Sequence, residues 1–174
     1  MCVSCFWSWL SINSSNVIAL CALILTVWQA IVARKHNKLS VTPYLTTWTH
    51  VDTDKCSYAV EILNNGIGPA LIKSFQIFVD GHEIKGQDLE ILQKALKIAF
   101  PQYSYHSYNS FLSEGYMMSP KESRNLLTIQ FLGPNFPSKE EIDHAAKRVK
   151  IIIEYESIYE EKYAFDSSKF EVLN

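Results

Sequence analysis

The sequence predicts a transmembrane helix at the N-terminus followed by a mostly-β soluble sandwich that carries two short helices. Three observations predict it. The sixteen Lys and Arg and the eighteen Asp and Glu all lie between Arg34 and Glu171, so the first 33 residues hold no charged side chain. From Leu39 onward, about seven segments alternate apolar and polar residues or are rich in β-branched and aromatic ones, with turn residues between them. Two further runs, in long connections, take the helical period instead, a layout that fits a sandwich better than a parallel α/β sheet. At 174 residues and 48% apolar, the chain is too rich in core-forming side chains to be a disordered tail.

The first element is the anchor, residues 17–33, VIALCALILTVWQAIVA, in which Thr26 and Gln29 are the polar side chains. A helix over this run rises about 25 Å, and Ser14, Ser15 and Asn16 extend it toward the ~30 Å of a hydrocarbon core. A charged side chain at mid-bilayer costs about 2.5 kcal/mol or more. Here the basic juxtamembrane stretch 34–38, with Arg34, Lys35 and Lys38, begins only where the apolar run ends. A cleavable signal peptide has the reverse order, with positive charge before its apolar core and small residues after it. The run therefore reads as an uncleaved single-pass anchor, not as a buried core helix, which would show a polar face. Basic residues follow the span and none precedes it, which puts the C-terminal domain in the cytoplasm.

Residues 1–16 are too few to cross a second time. Phe6, Trp7, Trp9 and Leu10 suit the headgroup interface, and Trp28 lies in the cytoplasmic half of the span. Cys2 and Cys5 have CxxC spacing, but structural zinc would want a second ligand pair and none follows; if this end faces an oxidising compartment, a disulfide or an intermolecular link fits them better than a metal.

The soluble domain, residues 39–174, opens with a strand expected over 39–49, where a proline argues for an edge position. Tyr58 to Leu63 alternates, Asn64 to Pro69 interrupts, and Ala70 to Val79 resumes, which predicts strand, turn, strand. Asp80-Gly81 supplies two residues that tolerate positive φ, as a type I′ hairpin turn into His82–Lys85 requires. Leu89, Leu92, Leu96 and Ala99 form a stripe that predicts a helix over 88–100, stopped by Pro101. The range 102–118 is aromatic and polar without a clean period, and is expected to be irregular or a strand with long connections. A strand is expected over 124–132. Ser138-Lys-Glu-Glu141 is a capping box that starts a helix through Arg148, and Lys147 and Arg148 suit its negative end. Val149 to Glu156 alternates, and 161–165 is expected to return beside it as a closing hairpin.

The stretch AVEILNNGIGPALIKSFQIFVDGHEI, residues 59–84, resembles part of the bacterial immunoglobulin-like sandwich modules: strand, Asn-x-Gly, a small residue, strand, then an aspartate-glycine hairpin. MSPKESRNLLTI, from Met118, looks like the proline-led turn into a later strand of the same modules. The resemblance covers about half of the soluble domain and implies an immunoglobulin-like sandwich. Its motifs are turn chemistry, so they bear on fold and not on activity. The two helices depart from the minimal module and mark where specialisation would lie.

Candidate chemistry is sparse. His50, Asp52, Asp54 and Cys56 fall at every second position and would share one face of an extended segment, yet they sit between two strands, where Asp is an ordinary turn residue. His82, His106 and His144 stand in no catalytic spacing, and Gly66-Ile67-Gly68 lacks the remainder of a phosphate-binding loop, so no enzyme, metal or cofactor is expected. Thirteen basic residues against eighteen acidic ones from Leu39 onward disfavour general nucleic-acid binding. The candidate ligand residues are Tyr103 and Tyr105, in an aromatic stretch suited to stacking a base, to self-association or to packing over the sandwich edge. To them are added two basic groups suited to a phosphate, Lys121 with Arg124 and Lys147 with Arg148 and Lys150.

An uncleaved N-terminal helix, the junction RKHNKLSV with a proline shortly after, and a compact β domain together resemble the small membrane-anchored effectors of bacterial antiviral systems: type III CRISPR, retron and cyclic-oligonucleotide signalling. That resemblance implies an inner-membrane protein whose cytosolic domain senses a cyclic oligonucleotide or a defence-system protein, homo-oligomerises, and lets clustered helices perturb the lipid bilayer. A membrane-tethered adaptor without pore activity is the alternative.

Overall fold

The computed structural model describes residues 14–52, 54–86, 89–133 and 136–169, in two units that divide between Ser40 and Val41. The segment holding Trp7, Trp9, Cys2 and Cys5 lies outside the described residues.

The first unit is helix α1 (Ser14–Leu39), none of whose 26 residues is buried, and which is long and apolar enough to cross a bilayer. Trp28, Arg34, Lys35 and Lys38 all project from it exposed. The helix takes in the whole basic stretch 34–38. Those residues are fair helix formers, no Gly or Pro interrupts them, and His36 and Lys38 suit the negative end of the dipole. The strand expected from Leu39 therefore begins later, at Leu45, after Pro43 has ended any helical continuation.

The second unit contains strands β1 (Leu45–Asp52), β2 (Ser57–Asn64), β3 (Ala70–Val79) and β4 (His82–Glu83), then helix α2 (Leu89–Ala99). Strands β5 (Tyr105–Asn109), β6 (Met117–Met118) and β7 (Ser123–Phe131) follow, then helix α3 (Lys139–Arg148) and strands β8 (Val149–Glu156) and β9 (Lys162–Asp166). All pairings are antiparallel. One sheet has the order β1-β2-β7-β5; the other has β4-β3-β8-β9, with β6 also paired to β3. This is the strand arrangement of an immunoglobulin-like sandwich with an extra short strand beside the third. The stretch 102–118, aperiodic in sequence, holds two strands.

Inward residues alternate along the strands as a half-buried sheet demands. In β3, Ala70, Ile72, Phe75, Ile77 and Val79 are buried, and the change of parity after Ile72 coincides with a bulge against β8. With Leu45, Ile62, Leu126, Ile153, Tyr155 and Phe165 they form the main core. A second cluster lies under the helices, where Leu96, Ala99, Ile142 and Ala145 cover Tyr58, Ile129 and Phe131.

At the end of the sandwich where the chain arrives, the segment Val41–Tyr44 lies hard against the β2–β3 loop. A Cβ on Gly66 would stand 2.4 Å from the Tyr44 nitrogen, and one on Gly68 would stand 1.7 Å from the Val41 oxygen. The carbonyl of Thr42 accepts from the N–H groups of Ile67 (3.1 Å) and Gly68 (3.3 Å). The opposite end carries the Asp80-Gly81 turn, whose φ values of 52° and 80° are those of the expected hairpin.

Candidate functional site

The concavity that gathers chemistry lies between the two inserted helices. Pro101 stops α2 just after its apolar stripe, and Phe100 caps the cluster beneath it. Across the gap, α3 starts at Ser138, whose side chain accepts from the N–H of Glu141 while Glu141 Oε2 accepts from the N–H of Ser138 at 2.8 Å. Because α3 is short, its outward stripe Glu141, His144 and Arg148 runs the whole length of one cleft wall. The cleft is about 340 Å³, with Phe100 and Tyr103 on the other wall.

Tyr103 stands edge-on to Phe131, with ring centroids 5.6 Å apart, and its hydroxyl meets Glu141. Burial first, and the Glu141 carboxylate second, push the Tyr103 phenol above its ordinary pKa. The Glu141 carboxyl is held below the usual range by the Ser138 N–H and then by Tyr103. At the far end of the wall Arg148 is already engaged: its Nε donates to Asp80 Oδ1 (2.8 Å) and its Nη2 to Oδ2 (2.6 Å). This bidentate bond is the main cause of the low pKa of Asp80. The rim thus carries two carboxylates, Glu140 and Glu141, one histidine and one neutralised guanidinium. Such a rim suits a polar or cationic side chain better than a multiply charged phosphate.

Of the candidate ligand residues, only Tyr103 and Arg148 meet in this cleft. Tyr105 packs half-buried on Phe131, at 6.3 Å between centroids. Lys147 is exposed on α3, and Lys150 turns to Asp166 on β9 at 3.0 Å. Lys121 and Arg124 lie at the other end of the sandwich. There Lys121 occupies a turn at φ 61°, and Arg124 donates from Nε to Glu122 at 2.9 Å with its guanidinium 4.9 Å over the Tyr116 ring. The two basic groups of the sequence are therefore far apart, and three of their five cations are held by carboxylates.

The alternation of His50, Asp52, Asp54 and Cys56 ends at Asp52, where the strand gives way to a turn. Asp52 Oδ1 accepts from the N–H groups of Asp54 and Lys55, both at 3.1 Å, and His50 stacks on Trp48 at 5.4 Å. Among the described residues no three His, Cys, Asp or Glu side chains gather as metal ligands.

Glu140 and His144 line the cleft, although in the sequence His144 stands in no catalytic spacing and Glu140 has only the role of offsetting the helix dipole. The one signal for them was the capping box, which places a carboxylate in the first turn of α3 and, through the helical repeat, His144 on the same face. No protein-family model matches the chain, and no curated protein matches its sequence significantly.

Proposed function

We propose that this protein is a single-pass effector of the bacterial inner membrane, acting in antiviral defence. In this reading α1 spans the bilayer, the sandwich lies in the cytoplasm, and recognition of an activating partner gathers the helices into a homo-oligomer that perturbs the membrane. The observation that carries the reading is a helix of 26 residues, none of them buried, whose apolar run 17–33 ends in a basic stretch and leads into a sandwich with a cleft between its two helices. The acidic rim favours a partner protein over a cyclic oligonucleotide as the activator, because Glu140 and Glu141 repel a phosphate and the one guanidinium there is shared with Asp80. The test is overproduction of the full chain beside one lacking residues 1–38, read with a potential-sensitive dye. Depolarisation that needs the anchor is the expected result.

One observation favours the second reading, a membrane-tethered adaptor. The Thr26 hydroxyl donates to the Ala22 carbonyl at 2.8 Å, within its own helix, so one of the two polar side chains of the apolar run is already bonded and association between helices has only Gln29 to draw on. If Gln29→Leu leaves crosslinking between copies unchanged and the potential holds in cells with the full chain in their membranes, the adaptor reading stands.

A further inference from the structure

Five large apolar side chains are exposed at one end of the sandwich. Tyr44 is 52% exposed in the incoming segment, Ile67 63% in the β2–β3 loop, Met117 52% in β6, and Ile158 and Tyr159 54% and 45% in the β8–β9 turn. The register fixes them at one end. Leu45 pairs with Asn64, Ala70 with Met118, and Leu71 with Glu156, so the loops next to these residues cluster together. Hairpin tips are ordinarily polar. At the opposite end they are, with Asp54 and Lys55 in the β1–β2 turn and Asp80 and Gly81 in the β3–β4 turn. Among the described residues, the other large apolar side chains exposed on the sandwich are Trp48, Val51 and Tyr108 on strand faces, Leu89 and Ile98 on α2, and Leu132 after β7.

This apolar end is also where the chain enters, at Val41, two residues after α1 ends. The six helical residues from Arg34 to Leu39 rise about 9 Å beyond the apolar run. That is roughly the depth of a headgroup layer.

We propose that the loop tips Ile67, Ile158 and Tyr159 rest in the headgroup layer of the bilayer that α1 spans, which makes this end of the sandwich a second, peripheral membrane contact. The inference rests on the spanning reading of α1. Apolar and aromatic side chains partition into the interface without anionic lipid. The charges nearby are mixed, with exposed Glu114 and Glu160 against Lys121 and Lys162, so the contact is apolar and independent of lipid charge.

The test uses the full chain with Cys2, Cys5, Cys21 and Cys56 changed to Ser, reconstituted into phosphatidylcholine vesicles. Ile67→Cys, Ile158→Cys or Lys55→Cys carries an environment-sensitive fluorophore. Labels at positions 67 and 158 are expected to emit at shorter wavelength than one at 55 and to be quenched several-fold by lipids with a headgroup nitroxide. Adding phosphatidylglycerol is expected to change neither result. Labels at 67 and 158 that behave like the one at 55, on a chain that resists carbonate extraction, overturn this contact and leave the anchor standing. A chain stripped from the vesicles by carbonate overturns both.

Discussion

The side-chain amide of Asn64 donates to the carbonyl of Gly68 at 2.9 Å and closes the β2–β3 loop on itself. The same Nδ2 faces the carbonyls of Met118 and Ser119, and Oδ1 accepts from the N–H groups of Tyr44 (3.1 Å) and Gly66 (3.0 Å). One fully buried polar side chain therefore joins three segments distant in sequence, and the donors and acceptors around it fix which way the amide points.

Asn64→Ala leaves buried backbone groups without partners, at about 1–3 kcal/mol each where water cannot replace the amide. A total loss of about 3 kcal/mol or more is expected, read by calorimetric unfolding of the full chain in detergent. Asn64→Asp keeps the acceptor but sets a carboxylate against three carbonyls, and is expected to be at least as damaging. A loss under 1 kcal/mol for either would show that the loop is held by something else.

Gly68 has no positive φ; what it supplies is space for Val41. Gly68→Ala is expected to cost about 2–4 kcal/mol, because backbone must move. Gly81→Ala meets nothing within 4 Å but sits at φ +80°, and should cost only the ~1–2 kcal/mol of a left-handed alanine. The ratio of the two melting shifts distinguishes crowding from conformation.

Glu122 accepts from the Tyr116 hydroxyl, the Arg124 guanidinium and the Ser119 N–H, which lower its pKa from 4.5 to about 2. A depressed carboxyl pKa gives stability that is present above pH 4.5 and is lost as pH falls toward 2. The melting temperature of the wild type should exceed that of Glu122→Gln near neutrality, and the gap should close over that window. A gap independent of pH would assign the effect to shape instead of charge.

Asp80→Asn removes the carboxylate that occupies Arg148 but leaves the backbone bond from the Asp80 N–H to the Arg148 carbonyl at 2.9 Å. Since the pair is solvent-exposed, a small fall in melting temperature is expected, shrinking in about 0.5 M salt. With the guanidinium released, inorganic pyrophosphate should bind the variant more tightly than the wild type. Equal binding would show that Asp80 does not gate the cleft.

Where a signal is local, the sequence carried it. The alternation of β3, the Asp80-Gly81 turn and the Ser138 capping box each need only neighbours a few residues apart, and each forms as expected. The strand Tyr105–Asn109 gave no such signal, because Tyr105, His106, Ser107, Tyr108 and Asn109 set polar atoms on both faces. Pairing with β7 stabilises it, at a separation no local pattern records. The candidate site was legible only in pieces. Tyr103 and Arg148 stand out as residue types, but the cleft needs α2 and α3 side by side, and Asp80 reaches Arg148 across 68 positions.

The tight seating of Val41–Tyr44 has a mechanical meaning. A pull on the chain at Ser40 meets the Thr42 carbonyl, held by Ile67 and Gly68, and then Tyr44, held by Asn64 and Asn65, before it reaches the first rung of the β1–β2 ladder. Tension from the N-terminal side thus meets these bonds one after another before any of it reaches the first strand, so the seating of Val41–Tyr44 must give way before β1 begins to peel from β2.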